Sequence, residues 1–143
     1  MFTRVSPNLM VPDVNRAVEY YRDVLGFAFV VGVRPNSQEV IAQYDSATPL
    51  AFAIVQQGRV QFMFQSQQSF LDEMPQLRDR PLGATATFYV EVADAGLLCR
   101  QLQGQADFVS PLHRTFYGKE EFSVRDANGY ILCFAGEPKD QMP

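Results

Sequence analysis

The chain has 143 residues, of which 47% are hydrophobic and 20% charged, and a formal net charge of −4. This composition can bury a sizeable core and excludes the clustered basic surface from which nucleic-acid affinity comes. No apolar run approaches membrane-spanning length and no charged-then-apolar leader opens the chain, so a cytoplasmic protein with no nucleic-acid or membrane partner is expected. The two cysteines, Cys99 and Cys133, lie in apolar patterns outside any Cys-x-x-Cys pair, as free thiols of a reduced compartment do.

Val5 to Val11 reads as a strand, with Pro7 near its start where a missing N–H costs least. Asp13 follows as the cap of a helix whose Val14, Ala17, Val18, Tyr21, Val24 and Leu25 form one apolar stripe. Gly26 is its left-handed stop. Phe27–Val33, Val40–Tyr44, Leu50–Val55 and Val60–Gln65 are the next strands, the last two joined through Gln57-Gly58. In the final strand Phe62 and Phe64 point one way, and Gln61, Met63 and Gln65 the other. Ser66 to Pro81 is a connector with a short helix and an exposed Arg78-Asp-Arg-Pro turn.

Thr85–Val92 opens a second series. Asp94 caps a helix with Ala95, Leu98, Cys99 and Leu102 inward, and Gly104 ends it. Asp107–Val109 is a short strand, Ser110-Pro-Leu-His-Arg a loop, and Glu121–Arg125 and Tyr130–Ala135 the last strands, turned by Asp126-Ala-Asn-Gly129. Three landmarks recur at one spacing of 81 residues: Val11 and Val92, Asp13 and Asp94, Phe27 and Phe108. Strand, cap and helix keep their order in both halves, which is the mark of an internal repeat. The expected fold is α+β, two βαβββ modules forming a curled mixed sheet with a concave cavity. The first module takes 1–66, a linker 67–83, the second module 84–136, and 137–143 is a tail.

Asn8-Leu-Met-Val-Pro-Asp-Val with Glu19-Tyr-Tyr-Arg-Asp-Val-Leu-Gly-Phe resembles the opening signature of the vicinal oxygen chelate superfamily. That group includes glyoxalase I, bleomycin resistance proteins and extradiol dioxygenases. Thr115 to Phe134, with its Asp-x-x-Gly turn, resembles the closing signature, and Val60–Gln65 the middle of the pattern. The resemblance implies this fold, a homodimer, and in metal-dependent members a ligand on the first and last strand of each module. Carried over, those ligand positions hold Ser6, Gln61, Thr87 and Cys133. Two hydroxyls, an amide and a thiol offer neither the imidazole nor the carboxylate that such sites use. No metal or other cofactor is expected. The bleomycin resistance proteins are similar in lacking the metal.

If Ser6 and Thr87 face the cavity, strand parity adds Asn8, Met10, Tyr89 and Glu91. Gln61, Met63, Gln65, Ile131 and Cys133 join them from the closing strands, with Ile131 and Met10 read as core filling. The ligand-binding set is therefore Asn8, Met10, Gln61, Met63, Gln65, Thr87, Tyr89, Glu91, Tyr117 and Cys133, apolar bodies with a few polar heads as small-molecule sites have. For catalysis the residues of suitable chemistry are Glu91, His113 and Glu121, the last two near Tyr117 in sequence.

Two functions fit. One is a metal-independent protein that sequesters a partly apolar, cationic small molecule. The other is a glyoxalase-like lyase or isomerase, or a dioxygenase, with an atypical metal or an acid–base site.

Overall fold

The computed structural model describes residues 1–83 and 85–139. Ala84, at the start of the expected second module, and residues 140–143 of the expected tail lie outside the described residues. The chain divides into two compact units, one spanning Met1–Leu82 and the other beginning at Gly83.

In the first unit, β1 (Asn8–Val11) leads into α1 (Val14–Asp23), followed by β2 (Ala28–Val33), a two-residue β3 (Val40–Ile41), β4 (Phe52–Gln57) and β5 (Val60–Ser66). The strands lie in the order β1-β5-β4-β2-β3. Asp13 caps α1 by accepting the Arg16 amide at 3.1 Å. Gly26 takes a positive φ of 79°, open to a residue without Cβ, and lets the Phe27 amide turn back onto the Tyr21 carbonyl at 2.8 Å. Val14, Ala17, Val18, Tyr21 and Leu25 are buried as the stripe predicts, whereas Val24 is only half-buried at the helix end. The Tyr21 ring is fully buried, with Phe64, Phe62 and Phe27 at centroid distances of 4.9, 5.3 and 5.5 Å. The expected first strand is shorter than the sequence pattern, since regular pairing starts at Asn8; Pro7 still accepts the Met63 amide through its carbonyl at 2.8 Å.

The connector contributes α2 (Gln67–Glu73), capped by Ser66 through the Ser69 amide, and a single 3₁₀ turn at Pro75–Leu77. α2 packs against β1 and β5, so part of the expected linker belongs to the first unit.

The second unit runs β6 (Thr87–Glu91), α3 (Ala95–Leu102), β7 (Asp107–Arg114), β8 (Glu120–Arg125) and β9 (Ile131–Gly136). Its sheet order is β6-β9-β8-β7. Asp94 caps α3 by accepting the Leu97 amide at 3.0 Å. Phe122 lies between Phe134 and Phe108 at 5.2 and 5.6 Å and forms the core with Leu102, Val124 and Leu132.

Ser110 to Arg114, expected as a loop, is part of β7. The strand pairs Phe108 with Val124, Ser110 with Ser123 and His113 with Glu121, so β7 spends one extra residue at each of two irregularities. The second irregularity falls at Pro111 and Leu112, where a residue without an N–H can sit in a strand without losing a ladder bond.

The two sheets repeat one topology. In each, the first strand pairs parallel with the last, Asn8 opposite Met63 and Tyr89 opposite Cys133, and the other pairings are antiparallel. The fold is α+β, built as two units with a mixed sheet in each: the second is βαβββ, and the first is the same with the two-residue β3 added.

Candidate functional site

The expected ligand-binding residues fall into two groups, one in each unit. In the first unit Asn8, Met63 and Gln65 line a cavity of about 620 Å³, together with Phe52 and, from α2, Asp72 and Glu73. Met10 is buried opposite Gln65 and Gln61 is half-buried opposite Gln56; neither belongs to the cavity wall. Ser6 is half-buried ahead of β1.

The polar wall is a directed chain. The Gln65 Nε2 donates to Ser69 Oγ at 2.9 Å and to Glu73 Oε1 at 3.1 Å. Because a carboxylate only accepts, Glu73 fixes which end of the Gln65 amide faces α2. The Gln65 Oε1 therefore faces β1, where it accepts Asn8 Nδ2 at 2.9 Å. That in turn fixes Asn8, whose Oδ1 is left buried with no hydrogen-bond partner among the described residues. A buried acceptor left unpaired costs about 1–3 kcal/mol. The sequence shows Gln65 but not Ser69 or Glu73, which lie in the connector. Their spacing of four residues on a helix is the signal that places them on one face.

In the second unit Glu121 is only 6% exposed, yet it stands on the sheet face opposite the aromatic core. Its Oε2 accepts the phenol hydroxyls of Tyr117 at 2.5 Å and Tyr89 at 2.7 Å, and the Cys133 thiol points at its Oε1 from 3.7 Å. These bonds, Tyr117 first, hold the carboxyl below its ordinary range. The same bonds raise both phenols above theirs, because ionising either would set two anions side by side. Burial, and then the Glu121 charge, push the Cys133 thiol up to about 11.

The remaining candidates stand outside this group. Thr87 and Glu91 are exposed on β6. His113 is in register with Glu121 on β7, but its Nδ1 donates to the Pro111 carbonyl at 2.8 Å. Phe116, which sequence reasoning passed over, is fully exposed beside Tyr117.

The residues do not fit the metal of the fold's enzymes. Thr87 lies opposite Ile131, and Cys133 lies opposite Tyr89. By the repeat, Asn8 and Met63 correspond to Tyr89 and Cys133, so the position equivalent to Gln61 is Ile131, two residues before the one the resemblance selects. An isoleucine offers no donor. Among the described residues no three His, Cys, Asp or Glu side chains converge.

This geometry and topology place the chain in a known class. The chain belongs to the glyoxalase/bleomycin resistance protein/dioxygenase superfamily, whose family model matches residues 3–134. TioX from Micromonospora sp. ML1 is 19% identical with a TM-score of 0.68, over 96% of this chain and 100% of that one. The bleomycin-binding protein from bleomycin-producing Streptomyces verticillus, solved with copper(II)-bleomycin, is 21% identical with a TM-score of 0.58 over 98% of each chain. A superfamily member from Sphaerobacter thermophilus DSM 20745 is 16% identical with a TM-score of 0.71, over 96% and 98%. At such identities the likeness is one of fold. No curated protein matches the chain. Among the described residues no helix is long and apolar enough to cross a membrane.

Proposed function

We propose that the chain is a metal-independent binding protein that sequesters a small molecule in the Asn8 cavity. The observation that carries this reading is the polar wall of that cavity, in which Ser69 and Glu73 fix the Gln65 amide and Gln65 in turn fixes Asn8. A wall of fixed amides selects for a ligand whose polar groups match their direction. Asp72 and Glu73 add carboxylates to the same cavity, which favours a positive charge, while Phe52 and Met63 accommodate an apolar body. A cavity of about 620 Å³ matches the size of small-molecule sites. The reading includes a homodimer. That the fold in another organism accommodates copper(II)-bleomycin supports a cationic, drug-sized ligand.

Thermal denaturation of the protein with cationic glycopeptide antibiotics, aromatic antibiotics and glutathione conjugates tests it. A ligand of the expected class raises the melting temperature by binding the folded chain alone, and Asn8→Ala removes most of the rise. Failure of all three classes, or stoichiometric zinc, nickel, manganese or iron in protein purified without chelators, overturns it.

An acid–base enzyme is the second reading, favoured by the two phenols on Glu121. Its weakness is in the directions of the pKa shifts. The carboxyl moves down and the phenols up, away from the neutral range where proton transfer is efficient.

A further inference from the structure

The turn between β7 and β8 has an unusual sequence for its shape. The Gly118 amide donates to the Thr115 carbonyl at 3.1 Å, so Phe116 and Tyr117 occupy the two central positions of a four-residue turn. Turn centres usually hold Gly, Asn, Asp or Pro, whose backbones suit the bend. Here Gly118, at φ 86°, takes the left-handed conformation just past the centre and frees both central positions for aromatic rings. Thr115 Oγ1 braces the turn by accepting the Lys119 amide at 3.0 Å. Phe116 is 100% exposed and meets Tyr117 edge to face at 5.0 Å. A phenylalanine in that position contributes almost no burial to folding.

Beneath the turn, Glu121 is a buried carboxylate with hydroxyl and thiol donors and no ion pair among the described residues. Of the neighbouring basic groups, Lys119 pairs with Glu137 and Arg114 with Glu120 at 4.0 Å, while Lys119 and His113, which is in register with Glu121, act on that carboxylate through space without a bond to it. Glu91 adds a second negative charge close enough to act on Lys119. The phenols that donate to Glu121 leave their rings about half exposed, Tyr89 at 51% and Tyr117 at 54%. A ring whose hydroxyl is held by an anion is richer in π-electron density, which strengthens attraction for a cation.

We infer that Tyr89, Phe116 and Tyr117 form an aromatic collar around the Glu121 carboxylate, and that this collar binds an organic cation such as a quaternary ammonium group. Glu121 supplies the charge and orients the two phenols, and Phe116 supplies a face that folding does not require. The collar's residues belong to the second unit and those of the Asn8 cavity to the first, so the collar stands whether or not that cavity binds a ligand.

The test titrates benzyltrimethylammonium into the full chain and follows the tyrosine ring resonances by NMR, with the uncharged tert-butyl counterpart as control. The cation shifts the Tyr89 and Tyr117 signals and binds about tenfold more tightly than the control. Phe116→Ala and Glu121→Gln each weaken binding several-fold, and Asn8→Ala leaves it unchanged. Because the Phe116 side chain is fully exposed, Phe116→Ala folds normally and decides the matter even if Glu121→Gln does not fold. Equal binding of the charged and uncharged probes, no binding of either, or wild-type binding by Phe116→Ala overturns the proposal. Loss of binding in Asn8→Ala also overturns it, by assigning the cation to the other cavity.

Discussion

Asp13 and Asp94 stand 81 residues apart and make the same bond: each accepts the amide of the residue three places on, at 3.1 and 3.0 Å. Each satisfies one of the orphan N–H groups of a helix that leans on its own sheet. Asp13→Ala and Asp94→Ala should therefore cost similar amounts, about 1 kcal/mol each. Urea denaturation of the two variants checks this. A negligible loss in either would mean that its helix start is held by packing and not by the cap.

Phe64 and Phe116 are the same residue type in opposite settings, one fully buried beside Tyr21 and the other fully exposed. Phe64→Ala should lose about 3–5 kcal/mol through the cavity it leaves. Phe116→Ala should stay within about 0.5 kcal/mol of the parent. Denaturation midpoints compared at constant slope give both values.

Glu121 sets an acid limb. Its folded pKa is lowered, so its contribution to stability is fully present above the ordinary carboxyl value and is lost as pH falls through the folded one. Tyr117→Phe removes the largest cause of the shift and should move that loss to higher pH. The phenols act with the opposite sign. Tyr89 and Tyr117 are raised, so their contribution is intact below the ordinary value of 10.0 and fades as pH rises through the folded values. Melting temperature against pH, for the parent and Tyr117→Phe, reads both limbs; superimposable acid limbs would refute the assignment.

Cys133 should resist alkylation near neutral pH, because its thiol is pushed up to about 11 and reactivity follows the thiolate. Glu121→Gln removes the second cause and leaves burial, so alkylation should quicken without reaching the rate of a free thiol. Iodoacetamide labelling followed by peptide mass analysis distinguishes Cys133 from Cys99. Rapid labelling of Cys133 in the parent would contradict the geometry.

Gln65→Leu should destabilise more than a volume-conserving change elsewhere in β5. It leaves Asn8 Nδ2, Ser69 and Glu73 without the amide that joins them, at about 1–3 kcal/mol for a buried donor left unpaired. Denaturation of Gln65→Leu beside Met63→Leu checks this, and equal losses would show the chain of amides to be incidental.

The helices, their caps and most strands were legible because each rests on local chemistry: an aspartate before a 3.6-residue apolar stripe, alternation in β5, and Asp-Ala-Asn-Gly between β8 and β9. Ser110 to Arg114 was not, since Pro111 marks a break unless a partner strand absorbs it in a bulge, and the partner is not visible locally. At the site, Gln65 is legible from the alternation of its strand and Glu121 as an acid–base candidate near Tyr117. Their partners were harder to see. Ser69 and Glu73 sit in a connector and reach Gln65 only once α2 packs on β5, and Tyr89 meets Glu121 across 32 residues. The two-residue difference between Cys133 and Ile131 is likewise a matter of ladder register, which no single strand reveals.

The repeat has kept one side of each sheet and released the other. Val11 and Val92, Asp13 and Asp94, and Phe27 and Phe108 serve helix and core in both units, while Asn8 has become Tyr89, Met10 has become Glu91 and Met63 has become Cys133. The core side varies too but stays apolar, with Val90 in place of Leu9 and Leu102 in place of Tyr21. A laboratory search for new binding specificity should begin at residues 63 and 116, whose side chains face the cavity or solvent and take no part in the bonds around Gln65 and Glu121.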